Sequence, residues 1–205
     1  MFIKFKEAKL DKSDKRFKKA EENIRISFME LAESRGIDAV TATDIIKKAK
    51  VNRATFYAHY KDKYELIEKM EDEFCTPLLE KAKLDAFANA DIVEMSQDFV
   101  VQVINYYYDN REFLKLFCGE KGDTFFWSRF SRKIGNAIKE TSMDTRLKIP
   151  SEYVVASLIG LVSGILMAWA KSDFKEKPED FAKIVYTIIK GIPGNIVKEE
   201  DNRCR

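Results

Sequence analysis

Between Thr41 and Lys63 the chain reads TATDIIKKAKVNRATFYAHYKDK, and no other stretch leaves so few folding options. Thr41 stands three residues before Asp44, the spacing of a capping box. There a hydroxyl accepts one orphan backbone N–H while a carboxylate returns to the start of the helix. Ile45, Ile46 and Ala49 then give a short apolar face. Lys50-Val51 makes the connection, and Asn52 can cap a second helix. That helix carries Arg53, Ala54, Thr55, Phe56, Tyr57, His59 and Tyr60. Phe56 and Tyr60 lie four apart, share a face and can bury there. Arg53, Ala54, Thr55, Tyr57 and His59 are left on or near the open side. Two short helices on a tight connection, the second offering donors outward, form the pattern of a helix-turn-helix.

Composition agrees with helices throughout. Apolar residues reach 45% of 205, enough for a sizeable core, and Gly numbers only 8 and Pro 4. No alternating run is long enough to suggest a sheet, so the expected fold class is all-α, with about nine helices. The net charge of +2 is too small to argue for a partner, but its distribution is uneven. Residues 1–62 hold 15 Lys+Arg against 10 Asp+Glu, a balance of +5, and the remainder 21 against 24, a balance of −3. The positive charge sits with the reader helix, as phosphate binding requires. Chance scatter over solvated helices is the competing account. Cys75, Cys118 and Cys204 are widely spaced, which argues against a disulfide framework or a zinc site. The N-terminus has no apolar core of signal-peptide length, so a cytoplasmic location is expected.

The stretch resembles the DNA-binding signature of the TetR/AcrR regulators. Thr41, Asp44, Ile45, Ala49, Val51, Thr55, Phe56, Tyr57, Tyr60, Lys63, Glu65 and Leu66 fall in register without a gap. Three positions depart from the pattern: Lys50 replaces the turn glycine, Asn52 the usual serine, and Ala54 a frequent glycine. If the turn needs positive φ, a lysine there costs roughly 1 kcal/mol. The resemblance implies a DNA-binding head over residues 1–62 and a helical ligand-binding and dimerisation domain over 63–205. It makes Arg53, Thr55 and His59 candidates for base edges, with Ala54 beside them. Thr41, Thr43, Tyr57, Tyr60 and Lys63 are candidates for phosphate, while Phe56 and Ile45 are structural. Arginine leads, because bidentate pairing to guanine is the commonest specific contact.

Ahead of the motif, residues 1–14 carry lysines and read either as an arm that touches phosphate or as a solvated tail. A first helix is expected from about Lys15 to Ser34, with Phe17, Ala20, Ile24, Phe28 and Leu31 as its stripe and Gly36 as a left-handed stop. Asp62 and Glu65 form a second capping box. The helix that starts at Lys63 leaves the head for the next domain and would carry any signal between them. Residues 82–91 read as a connection, and Asp91 with Glu94 as the cap of the helix after it.

Aromatic residues are dense between 99 and 130. They either fill the core or line a cavity. Tyr107, Phe117, Trp127 and Trp169 are the candidates for an effector site. Residues 153–170, YVVASLIGLVSGILMAWA, pass without a charge and contain Gly160-x-x-x-Gly164. That meets the minimum for a membrane span. No Lys/Arg cluster marks a cytoplasmic flank, and a helix covered on all sides explains the run as well. In TetR-like regulators the last two long helices build a four-helix dimer interface. Leu158, Leu161, Val162, Ile165, Ile184 and Ile188 are its candidates here. Residues 106–192 also look like a subgroup that includes dihydroxyacetone-kinase-operon regulators.

The resemblance thus implies a homodimeric, ligand-responsive regulator, a repressor on a near-palindromic operator, with double-stranded DNA, a small-molecule effector and itself as partners. An activator of the same fold and a membrane-anchored DNA-binding protein are the alternatives. An enzyme is not expected. The single histidine lies in the reader helix, and no G-x-S-x-G, P-loop or paired metal ligands appear, so neither a metal nor a cofactor is expected.

Overall fold

The computed structural model describes residues 12–85, 96–119, 122–123, 125–140 and 148–190. Among these residues there are nine helices and no strand. They are α1 (Lys12–Arg35), α2 (Ala42–Ala49), α3 (Arg53–His59), α4 (Lys63–Asp85), α5 (Gln97–Asp109), α6 (Arg111–Cys118), α7 (Phe126–Glu140), α8 (Ser151–Lys171) and α9 (Pro178–Lys190). The chain divides into two compact units. The first takes Met1–Phe74 with Glu112–Thr124, the second Cys75–Arg111 with Phe125–Arg205. These compact units divide inside α4, and the first includes most of α6.

In the first unit α1 packs against α2 and α3. The stripe read from the sequence supplies Ile24 and Phe28, both fully buried, but Phe17 stays half exposed. Gly36 ends α1 in the left-handed region, at φ 85, and its N–H donates to the Ala32 carbonyl at 2.7 Å. Leu114 and Phe117 of α6 complete this core. Phe117 lies 6.3 Å from Phe28 and is stacked 4.1 Å from Phe113, which in turn stacks on Phe74 at 4.2 Å. Gly122 then turns the chain where any side chain would meet the Phe117 carbonyl, which a Cβ would approach to 2.3 Å.

In the second unit α5 packs on α9 and α7 on α8. Ser96 caps α5 by accepting from the Phe99 N–H at 3.1 Å. The cap expected at Asp91 and Glu94 lies outside the described residues, as do residues 1–11 of the basic arm and the 86–91 part of the expected connection. Residues 82–85 of that connection are helical and belong to α4. Of the three consecutive tyrosines Tyr107 is buried, and Tyr106 and Tyr108 are half-buried on either side. Trp169 anchors the α8–α9 corner. It stacks on Phe181 at 3.9 Å and donates from Nε1 to the Glu176 carbonyl at 3.1 Å. Two residues with positive φ, Asp173 and Phe174, make the turn there, and the Phe174 N–H returns to the Trp169 carbonyl at 2.9 Å.

Candidate nucleic-acid interface

The interface is built on local capping. The Thr41 hydroxyl accepts from the Asp44 N–H at 3.2 Å, and the Asp44 carboxylate accepts the Thr41 N–H at 3.0 Å, which closes the capping box. Hydrogen bonds from the Thr41 hydroxyl and N–H, with Arg35 at 2.8 Å, hold the Asp44 carboxyl below its ordinary range. Lys50 closes α2 in the left-handed region at φ 53, where glycine would carry no strain. The Asn52 side chain then accepts from the Thr55 N–H at 2.7 Å and starts α3.

Phe56 pins α3 to the head with no exposed surface, and its ring meets Tyr57 edge-on at 5.4 Å. Around that anchor Arg53, Ala54 and Tyr57 stand exposed, Tyr57 at 52%, and Thr55 is half-buried. Thr43 is exposed on α2. These five keep an outward position. Lys47, Lys50 and Lys61 are exposed on the same unit, as is Tyr64 at 68%. None of the four stood among the sequence candidates. Position immediately after Lys63, in the first turn of α4, was the available signal for Tyr64.

Four candidates are placed otherwise. His59 is only 7% exposed and stacks under Phe17, ring centroids 3.7 Å apart, so it faces the domain rather than a base edge. Its Nε2 is buried without a hydrogen-bond partner, and burial lowers its pKa from the ordinary 6.5. Tyr60 is 1% exposed; its hydroxyl accepts from Arg25 Nε at 3.1 Å and donates to Glu21 at 3.1 Å, which leaves nothing for phosphate. Burial pushes that phenol up to about 12. Lys63 donates to the carbonyls of Ile37, Asp38 and Val40 at 3.3, 2.9 and 2.9 Å, which engages every ammonium hydrogen. The Thr41 hydroxyl donates to Asp44 at 2.6 Å, so its proton is committed to the cap.

The effector candidates separate. Phe117 belongs to the core of the first unit. Tyr107, Trp127 and Trp169 belong to the second, where Tyr107 and Trp169 are buried. Trp127 meets Phe126 and Phe130 edge-on at 5.1 and 6.0 Å, and its buried Nε1 has no partner. Of the interface candidates Ile184 and Ile188 stay exposed on α9, while Leu158, Leu161, Val162 and Ile165 are half-buried. The open line of α8 runs instead through Tyr153, Ser157, Gly160, Gly164 and Ala168.

Residues 29–70 match the family model of bacterial regulatory proteins of the tetR family, and residues 94–191 match that of a transcriptional regulator C-terminal region of TetR type. An uncharacterized HTH-type transcriptional regulator of Bacillus subtilis (strain 168), YxbF, is 21% identical in a match that covers 88% of this chain and 50% of that protein. The chain thus spans about half the length of this curated relative. Among solved structures, a TetR transcriptional regulator from Streptococcus agalactiae 2603V has a TM-score of 0.62 at 20% identity, covering 86% of this chain and 97% of that one. Native NalD of Pseudomonas aeruginosa, described as the secondary repressor of a multidrug efflux pump, has 0.65 at 15%, covering 90% and 100%. These likenesses are of fold. The two family models fall on the head and on the C-terminal helices and together span most of the chain, and the chain belongs to the TetR family of bacterial regulatory proteins.

Proposed function

We propose that the protein is a homodimeric repressor that leaves its operator when a small molecule binds the second unit. The observation that carries this is the α3 face, where Arg53, Ala54 and Tyr57 stand exposed around the buried Phe56. Arg53 reads a base edge, and Tyr57, Thr43 and the exposed lysines hold phosphate. Two such helices related by a two-fold axis enter successive major grooves roughly 34–36 Å apart, so the operator is near-palindromic. NalD, a fold neighbour, is itself called a repressor, which favours repression over activation here. The resemblance of residues 106–192 to dihydroxyacetone-kinase-operon regulators suits such a C-terminal domain and assigns no effector. Tyr107, Trp127 and Trp169 remain the candidates to line an effector site, and the buried indole N–H of Trp127 offers it one free donor.

Arg53→Ala tests the base-reading role. A duplex enriched from a random library by the wild-type protein serves as probe in fluorescence anisotropy. The variant should bind it about 10–100-fold more weakly, as one lost bidentate base contact predicts. Retained affinity for that duplex would remove Arg53 from the role.

A further inference from the structure

Two side chains of α4, one helical turn apart, grip the end of the reader helix. Lys69 donates from Nζ to the His59 carbonyl at 2.9 Å, and its ammonium stands 5.0 Å from the centroid of the Tyr60 ring. Four residues on, both carboxylate oxygens of Glu73 accept from the two terminal nitrogens of Arg25. The Nε of that guanidinium donates to the Tyr60 hydroxyl at 3.1 Å. Tyr60 is the C-cap of α3, its N–H bonded to the Phe56 carbonyl at 2.9 Å. A chain of polar contacts therefore runs from α4 through α1 to the last turn of α3, all within the first unit.

This chain is poorly suited to holding the helices together. Glu73 is 34% exposed and Arg25 18%, so the pair is only partly buried, and its attraction is offset by the cost of desolvating both charges. Ile24, Phe28, Leu66 and Met70 already supply the apolar packing. What a planar guanidinium with a two-pronged carboxylate adds is direction. The Lys69 contact fixes the same turn from a second point.

We propose that Lys69 and Glu73 are positioning residues for DNA recognition. Through the His59 carbonyl, the Tyr60 ring and the Arg25–Tyr60 bond they set the angle at which α3 presents Arg53, Ala54 and Tyr57. This rests on reading α3 as the base-reading element.

The test compares the enriched duplex with a scrambled duplex of equal length across a salt series, on samples shown by melting curves to be folded. Glu73→Gln removes a negative charge, so charge alone would tighten binding to both duplexes. The proposal expects about tenfold weaker binding to the enriched duplex, less than about twofold change on the scrambled one, and the same salt slope. Tyr60→Phe keeps the ring, removes the hydroxyl, and should lose as much. The double variant should be no worse than the weaker single, because both act in one chain of contacts. If Glu73→Gln does not fold, Tyr60→Phe and Lys69→Gln carry the test. Unchanged or tighter binding of the enriched duplex by folded variants overturns the proposal. Equal loss on both duplexes also overturns it, since that is a phosphate effect. If Arg53→Ala is equally without effect, the base-reading role of α3 is what fails.

Discussion

His59 sits in the last turn of a helix only seven residues long, where a side chain can point to the groove or to the body of the head. Phe17 decides the matter by stacking on it. The sequence held the signal: Phe56, His59 and Tyr60 stand at i, i+3 and i+4, the spacing of one buried face. Register with a family pattern favoured the groove, and packing won. The consequence is a pH dependence that can be assigned to one group, since this is the chain's single histidine. Burial lowers its folded pKa below the 6.5 of the free side chain, against the opposing pull of Glu21 and with Lys69 and Arg25 adding to the decrease. The unfolded chain therefore binds the extra proton first, and stability rises with pH across that window. The contribution is fully present above about pH 6.5 and is lost as pH falls below it. Asp44 and Glu65, whose pKa values are also lowered, lose theirs only in the carboxylate range. Denaturant melts between about pH 7 and 5 should show falling stability that His59→Asn abolishes. A flat profile for the native sequence would contradict the buried placement.

Local rules carried the short elements well. The Thr41 capping box, the Asn52 cap and the Gly36 stop each depend on a few neighbouring residues, and each is formed. Lys50 adopts the strained turn that its position called for. The border between units was not legible in the same way, because α4 keeps one helical stripe from Leu66 to Leu78 straight across it. The overlooked signal was Pro77 inside that helix. A proline has no N–H, so the Glu73 carbonyl, four residues back, loses its helical donor. The units divide at Phe74/Cys75, within the same turn. Pro77→Ala restores the hydrogen bond and should raise stability by about 1–3 kcal/mol, the cost of a proline in a helix interior. Thermal melts check this, and an unchanged or lower melting temperature would mean that α4 has relaxed around the ring. The same substitution stiffens α4 beside the Glu73 grip.

The C-terminal helices raise a question that only the complete assembly answers. α8 is long and apolar enough to cross a membrane, yet only 28% of its apolar window is buried within its own chain. On the proposed reading a second copy covers the rest, as a two-fold DNA reader needs. Periodicity could not say which face meets it, because a helix apolar all round carries no stripe. That is why Leu158, Val162 and Ile165 were candidates although the open line runs through Tyr153, Gly160, Gly164 and Ala168. Exposed Ile184 and Ile188 of α9 extend the apolar surface. The two glycines separate the accounts, because a Cβ at either meets nothing within 4 Å beyond its chain neighbours and the backbone of its own helix. Gly160→Leu and Gly164→Leu are then harmless in one subunit, and by helix propensity should even stabilise it by about 1 kcal/mol. Across a close-packed two-fold contact each bulky side chain is introduced twice. Sedimentation in detergent-free buffer should find the native chain dimeric and the double variant monomeric, with helical content intact. The variant's melting temperature should also stop rising with protein concentration, as mass action requires once the partner is gone. A double variant that still sediments as a dimer would move the interface off this face, and a native chain that needs detergent would return α8 to the bilayer.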